Sequence, residues 1–328
     1  QLGADPLLIG AVFSAMGLVM AVSQSPAGFR SYRIDPRSLM WASLFLGATS
    51  AWVMALAKTM PVFIIGLILY GLTGSVMAPM NSYITNVRGK YSIGKALTFT
   101  SGLYNIGAII GPISGGLVAD RLGLRMVYII AAVTFLVSTV IVLFIEKNPA
   151  PHHADQDSAN GTGLLKNTRF IMFLGITLLT IFAIYLPQPF TPNFLQNEAG
   201  LSLKTIGQLG SFSSLGNALL VLLFGSLRAP VGFLIGQALV AVFALLLWQG
   251  TSLPWYAADY FFLGGYRLSR MMVLAYARSF VPVNLVGFAF GVIETVNAST
   301  VILAPVLAGW LYATAPRSMY QVAFFIIL

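Results

Sequence analysis

Gly107-Ala-Ile-Ile-Gly111-Pro112-Ile-Ser-Gly115-Gly116-Leu-Val-Ala-Asp120-Arg121-Leu-Gly123-Leu-Arg125 is the stretch from which the fold can be read. Its first ten residues carry no charge. They sit in an apolar run from Leu97 to Ala119, long enough to cross a bilayer as one helix. Gly107, Gly111 and Gly115 fall four apart and so share one helical face, where a second helix backbone can approach closely. Pro112 removes a backbone donor and is expected to kink the helix, which is tolerated in a membrane where neighbours satisfy the freed carbonyl. Alone, the stretch reads as a packing seam; its echo near the C-terminus gives it more meaning.

That echo is Pro305-Val306-Leu307-Ala308-Gly309. Pro112 precedes Pro305 by 193 positions, as Gly116 precedes Gly309, and Gly115 becomes Ala308. The same offset pairs Gly94 with Gly287, Gly71 with Gly264 and Tyr83 with Tyr276. Further upstream the offset becomes 197, pairing Ile9 and Gly10 with Ile206 and Gly207, Ser14 with Ser211 and Gly28 with Gly225. Single glycine matches are cheap among 32 glycines, but a shared P-x-x-small-G at a constant offset is not. The chain reads as two copies of one helical unit in parallel order.

Composition fixes the solvent. Hydrophobic residues make up 58% and charged residues 8%, against roughly a quarter charged in a soluble domain. An all-α integral membrane protein follows. The net charge of +9 is scattered through short connectors rather than clustered, which argues against nucleic acid as a partner. Absence of cysteine excludes disulfides and thiolate metal sites within this sequence. The two histidines, His152 and His153, lie together in a polar linker and read as solvated. No cofactor is implied.

Apolar stretches of spanning length cover Pro6–Ala27, Ser38–Ala57, Val62–Thr85, Leu97–Ala119 and Met126–Ile145. After a polar linker come Phe170–Phe190, Leu203–Phe224, Val231–Gln249, Pro254–Val281, Leu285–Ala313 and the fragment Met319–Leu328. Because Pro6–Ala27 matches the second span of the second half, the expected parent has six plus six helices. This chain would lack the first and most of the twelfth. The expected division is residues 1–145 as an N-terminal bundle (helices two to six), 146–167 as linker, and 168–328 as a C-terminal bundle (helices seven to twelve).

Eleven basic residues fall on one side of these spans: Arg30, Arg33, Arg37, Arg88, Lys90, Lys95, Lys147, Lys166, Arg169, Arg228 and Arg278. Five fall on the other: Lys58, Arg121, Arg125, Lys204 and Arg317. The excess of positive charge marks the cytoplasmic side, so the linker is expected in the cytoplasm of a plasma (inner) membrane protein.

Two parallel six-helix repeats joined by a cytoplasmic linker resemble the major facilitator superfamily, over the whole chain. G-x-x-x-G-P-x-x-G-G at Gly107–Gly116 is similar to the motif on that family's fifth helix, associated with exporters such as drug:proton antiporters. Asp120-Arg121-x-Gly123-x-Arg125 is similar to the D-R-x-G-W-R that follows it. The family's signature G-x-L-A-D-R-x-G-R-K, expected at Gly28–Arg37, is only partly kept. Gly28, Arg33 and Arg37 fit, but Tyr32 stands for the aspartate and Asp35 for the second glycine. Gly116–Arg125 also resembles that second signature, but this register would place four helices before a motif that follows two. The repeat offsets and the charge count oppose it.

Candidate site residues are the polar ones inside spans. Arg267 lies near mid-span and Arg270 one turn deeper on the same face. A charge at the bilayer centre costs about 3 kcal/mol or more, so neither should face lipid. Either they line a cavity for anionic groups or they are paired internally. Arg270 and Glu294 both lie roughly 15 Å from the connecting turn at 1.5 Å per residue, so an ion pair is geometrically allowed; Arg267 would then be the free cation. Alternatively Glu294 carries a proton. Asp259 is expected near the outer interface, solvated. By the repeat, Ser101 matches Glu294 and Tyr104 matches Asn297, and with Asn105 they are candidates for a lining at the repeat interface. Pro187-Gln188-Pro189 reads as a gate or a helix end. The motif positions Gly107, Gly111, Pro112, Gly115, Gly116, Gly28, Arg33, Arg37, Pro305 and Gly309 are candidates for gating.

The resemblance implies a secondary transporter, working by alternating access, in which the halves rock about a midplane site. A proton-coupled exporter of a small organic solute is the expectation, acting as a monomer in the lipid bilayer. The arginines favour uptake of an organic anion by a symporter as the alternative, and a non-transporting receptor on the same fold is a third reading. No G-x-x-x-x-G-K-[ST] loop is present for ATP. An intramembrane enzyme would need a nucleophile–base pair or metal ligands, and no cysteine or histidine lies in a span.

Overall fold

A computed structural model of the chain describes residues 5–30, 36–76, 80, 83–84, 87, 89–146, 164, 166–279, 281 and 286–328. All regular structure among the described residues is helical. Among the described residues, eight helices are long and apolar enough to cross a membrane. Two compact units are present. The first comprises Val12–Gly107 and Leu117–Gln156, with the first five residues; the second comprises Asp157–Leu328 with the short segments Pro6–Ala11 and Ala108–Gly116.

The first unit is built on α1 (Pro6–Arg30), α2 (Pro36–Leu56), α3 (Met60–Leu72), the flanks of α4 (Ile93–Leu122) and α5 (Leu124–Leu143). α2 packs against α3 and α5. Polar side chains pin α2 and α5 at both ends, where helices leave orphan carbonyls. Arg37 donates to the Ile145 carbonyl at 3.2 Å and Trp41 to that of Val142 at 2.8 Å. At the opposite end, Arg125 Nε donates to the Ala55 carbonyl at 3.1 Å, placing a cation on the last turn of α2. The chain reaches Arg125 through Gly123, whose φ of +84° suits the helix-to-helix corner. Midway, Ser50 donates to the Gly66 carbonyl at 2.9 Å. An apolar groove of about 490 Å³, lined by Phe45, Trp52, Val62 and Leu136 among others, lies on this face.

The second unit holds α6 (Thr168–Tyr185), α7 (Thr191–Asn197), α8 (Leu203–Phe224), α9 (Ala229–Gln249), α10 (Leu253–Leu263), α11 (Gly265–Ala277), α12 (Val286–Thr314) and α13 (Ser318–Ile327). Asn167 and Ser202 cap α6 and α8 through side-chain oxygens that accept backbone N–H groups. Two apolar clusters form its core. One gathers Phe190, Phe194, Phe243, Leu247, Tyr312 and Tyr320, the other Phe170, Phe233, Leu268 and Met272.

Three expected spans differ from single long helices. Phe170–Phe190 stops at Tyr185, because the Pro187–Pro189 segment makes a hydrogen-bonded turn in which Thr191 N donates to Pro187 O at 3.0 Å. That segment is a helix end followed by the short α7. Pro254–Val281 is interrupted at Gly264, where the backbone of Gly216 and Asn217 on α8 presses so closely that a Cβ would collide with it. Val62–Thr85 is α-helical in α3 as far as Leu72 and passes through a 3₁₀ turn, Thr73–Val76, beyond which Met80, Tyr83 and Ile84 are again helical.

The glycine seam also differs from expectation. A Cβ on Gly107 or Gly111 would meet nothing within 4 Å. The close approach is made by the neighbouring row, Pro112 and Gly116, one residue further round the helix. A Cβ on Gly116 would lie 2.6 Å from Leu203 O and 3.0 Å from Gly207 Cα. The repeat-related contact is also formed: a Cβ on Gly309 would lie 2.7 Å from Pro6 O, and one on Gly10 would strike Pro305 O. α4 runs through Pro112 without a break. The carbonyl of Ala108, deprived of its donor by the proline ring, accepts from Ser214 Oγ of α8 at 2.8 Å, and Ser211 Oγ serves Ile109 at 2.6 Å.

Candidate functional site

α11 and α12 bring the central polar residues together within the second unit. Arg270 Nη2 donates to both carboxylate oxygens of Glu294, at 3.1 and 2.9 Å. Arg270 Nη1 reaches the Tyr266 hydroxyl at 3.5 Å, one helical turn back. The Tyr266 hydroxyl in turn lies 2.7 Å from that of Tyr185 on α6, their rings edge to face. Asn297 Nδ2 donates to Glu294 Oε2 at 3.3 Å, while its own Oδ1 is buried without a described partner. Tyr185, Tyr266, Arg270, Glu294 and Asn297 therefore form one polar chain across α6, α11 and α12. The Arg270 and Glu294 side chains are 40% and 46% exposed, so the pair borders open space rather than being sealed in the core.

The other expected residues are placed as follows. Arg267 is half-buried and takes part in an interaction of its own, so it is not the free cation expected from the spacing. Ser101 and Tyr104 belong to the first unit and are exposed on α4; Asn105, beside them, is half-buried, and both Tyr104 and Asn105 engage partners. Gly28 lies in the last turns of α1, and Arg37 closes the α2–α5 end described above. Arg33 lies outside the described residues, as does most of the linker.

Asp259 overturns an expectation outright. Its distance along the chain from Trp255 and Tyr256 suggested a solvated carboxylate, but it is 0% exposed. Depth along a span is legible in sequence, whereas the direction a side chain points around the helix is set by the neighbours. Tyr266 was missed for a related reason. Its signal was its position four residues before Arg270, on the same face.

Comparison with known proteins agrees with this architecture. The family model described as Major Facilitator Superfamily matches residues 1–265. The chain is 23% identical over 324 residues to the inner membrane transport protein YajR of Escherichia coli (strain K12), covering 94% of this chain and 70% of that protein. It is 30% identical over 176 residues to the multidrug resistance protein MdtG of Citrobacter koseri, covering 52% of this chain and 43% of MdtG. The chain thus spans less than half the length of that relative. The crystal structure of the nucleoside transporter NupG superposes with a TM-score of 0.83 at 14% identity, covering 100% of this chain and 88% of that one. With a family model matched over most of its length and the helical architecture to go with it, the chain belongs to the major facilitator superfamily of membrane transporters.

Proposed function

We propose that this transporter moves a small organic solute by alternating access, as a proton-coupled exporter in the inner membrane, acting as a monomer with the linker on the cytoplasmic side. The observation that supports a solute site is the half-exposed Arg270–Glu294 pair, with Tyr266 and Asn297 on it, in an otherwise apolar span. Charges are retained in spans at a free-energy cost and belong to substrate or proton paths. Protonating Glu294 removes the charge that engages Arg270 and frees the guanidinium for an anionic group, so that proton and solute load together in the uptake reading; for export the solute must instead leave the cluster as Glu294 takes its proton. Asn297 completes the cluster, Arg267 is a further candidate one turn before Arg270, and Ser101, Tyr104 and Asn105 are the candidates on α4. Export is favoured by the Gly107–Gly116 motif and by the multidrug resistance name carried by a relative. The two arginines favour the second reading, uptake of an organic anion with protons.

The deciding experiment is flux in proteoliposomes of the intact protein under an imposed pH gradient, with anionic, neutral and cationic solutes. Proton-driven movement of at least one class that is lost in Glu294→Gln is expected. Full gradient-driven transport in that variant would remove Glu294 as the carrier. Absence of flux for every class would favour the receptor reading.

A further inference from the structure

Asp259 sits on α10, eleven positions before Arg270 and on the other side of the Gly264 interruption. It is wholly buried, and neither carboxylate oxygen has a hydrogen-bond partner among the described residues. Around it lie Tyr256 and Tyr260 of its own helix and Tyr320 of α13, members of the larger apolar cluster. Two of these tyrosines are committed elsewhere. Tyr256 donates to the Gly250 carbonyl at 3.3 Å and Tyr320 to Thr191 Oγ1 at 3.3 Å. The Tyr320 hydroxyl is nonetheless within electrostatic reach of the Asp259 carboxyl, as is that of Tyr260.

Of the helices packed on α10, α9 carries no ionisable side chain and α8 only Lys204, exposed in its first turn. Arg317, just before α13, lies over the Phe194 ring at 6.0 Å from its centroid. No described cation therefore pairs with Asp259, whereas Glu294 has Arg270. An ionised carboxylate buried without partner or donor is far too costly to persist. The compensating charge must come from solution.

We infer that Asp259 is a second proton-binding site of this transporter, one that takes a proton from solution and holds it occluded. Full burial means that the ion exchanges only when the unit opens, as a coupling ion must. The inference rests on the transport reading for its role in coupling, but not for the binding itself.

The test separates the two. Melting temperatures of the intact protein in detergent are measured in sodium-free potassium buffer from about pH 8 down to about pH 5.5, and at about pH 8 with sodium replacing potassium. A cation bound only by the folded state raises Tm by roughly 3 °C per tenfold rise above its dissociation constant. The expected result is a rise on acidification that sodium does not reproduce, absent from Asp259→Asn. If Asp259→Asn does not fold, Asp259→Glu is expected to keep the dependence with a displaced midpoint. A wild type stabilised by sodium instead of acid or by neither, an Asn variant that responds like wild type, or a Glu variant with an unmoved midpoint overturns the site. In proteoliposomes, Asp259→Asn should lose gradient-driven accumulation and retain solute exchange. Wild-type cation stabilisation without flux for any solute would leave the site standing and remove the transport reading.

Discussion

Arg270 makes its contacts in two directions, with Glu294 on α12 through one nitrogen and Tyr266 one turn back through the other. Both partners of the ion pair are well over a third exposed, so the pair should be worth little to folding. A double-mutant cycle of Arg270→Ala and Glu294→Ala, read by melting, is expected to give a coupling of about 1 kcal/mol or less. Transport should respond differently. If Arg270 binds an anionic group of the solute, losing a charge-assisted hydrogen bond of about 1.5–3 kcal/mol lowers flux roughly tenfold to a hundredfold. A stability loss that accounts for the flux loss would make the pair structural. Arg270 and Glu294 were legible because charges stand out in an apolar span and Asn297 through the repeat, and the i, i+4 spacing of Tyr266 could have added a fourth. The burial of Asp259 was not legible, since nothing in the sequence says which side of α10 faces Phe243 and Tyr320.

At the scale of the helix, the two proline–glycine rows do what the repeat suggested, but the positions that pack are Pro112 and Gly116 rather than Gly107 and Gly111. Pro112 and Gly116 lie against α8, and Pro305 and Gly309 against the start of α1, whereas Gly107 and Gly111 face open space. This explains why the second copy keeps Pro305 and Gly309 while placing Thr300, Ala304 and Ala308 along the other row. The contact, not the glycine count, is what both copies retain. Gly116→Ala should therefore destabilise by roughly 1–3 kcal/mol, because backbone lies on the far side of the added methyl and the helices must part. Gly111→Ala, with nothing in its way, should stabilise by roughly 0.5–1 kcal/mol through lower backbone entropy in the unfolded chain. Melting curves of the two variants decide it; shifts of the same sign would contradict the geometry. Helix lengths were harder to read, because a glycine in an apolar run looks the same whether it packs within a helix or, as Gly264 does, interrupts one.

For the molecule as a whole, what fixes its sense across the membrane is the distribution of cations among connectors. Positively charged loops are retained on the cytoplasmic side because moving them across against the membrane potential is unfavourable. Eleven of the basic residues fall on one side and five on the other, so the first side, carrying the linker, is expected inside. The sequence contains no cysteine, which makes the question simple to put. Single cysteines at Lys58 and Arg317 should react with a membrane-impermeant maleimide in intact cells. Cysteines at Lys90 and Lys166 should react only after permeabilisation. Lys58 follows α2 and Arg317 separates α12 from α13, so agreement between them tests both copies of the repeat at once. If Lys58 and Arg317 were labelled from opposite sides, the two copies would be inverted rather than parallel. The 193-position correspondence of Pro112 with Pro305 would then have to arise without a shared orientation, and the assignment of Ser101 and Tyr104 as counterparts of Glu294 and Asn297 would fall with it.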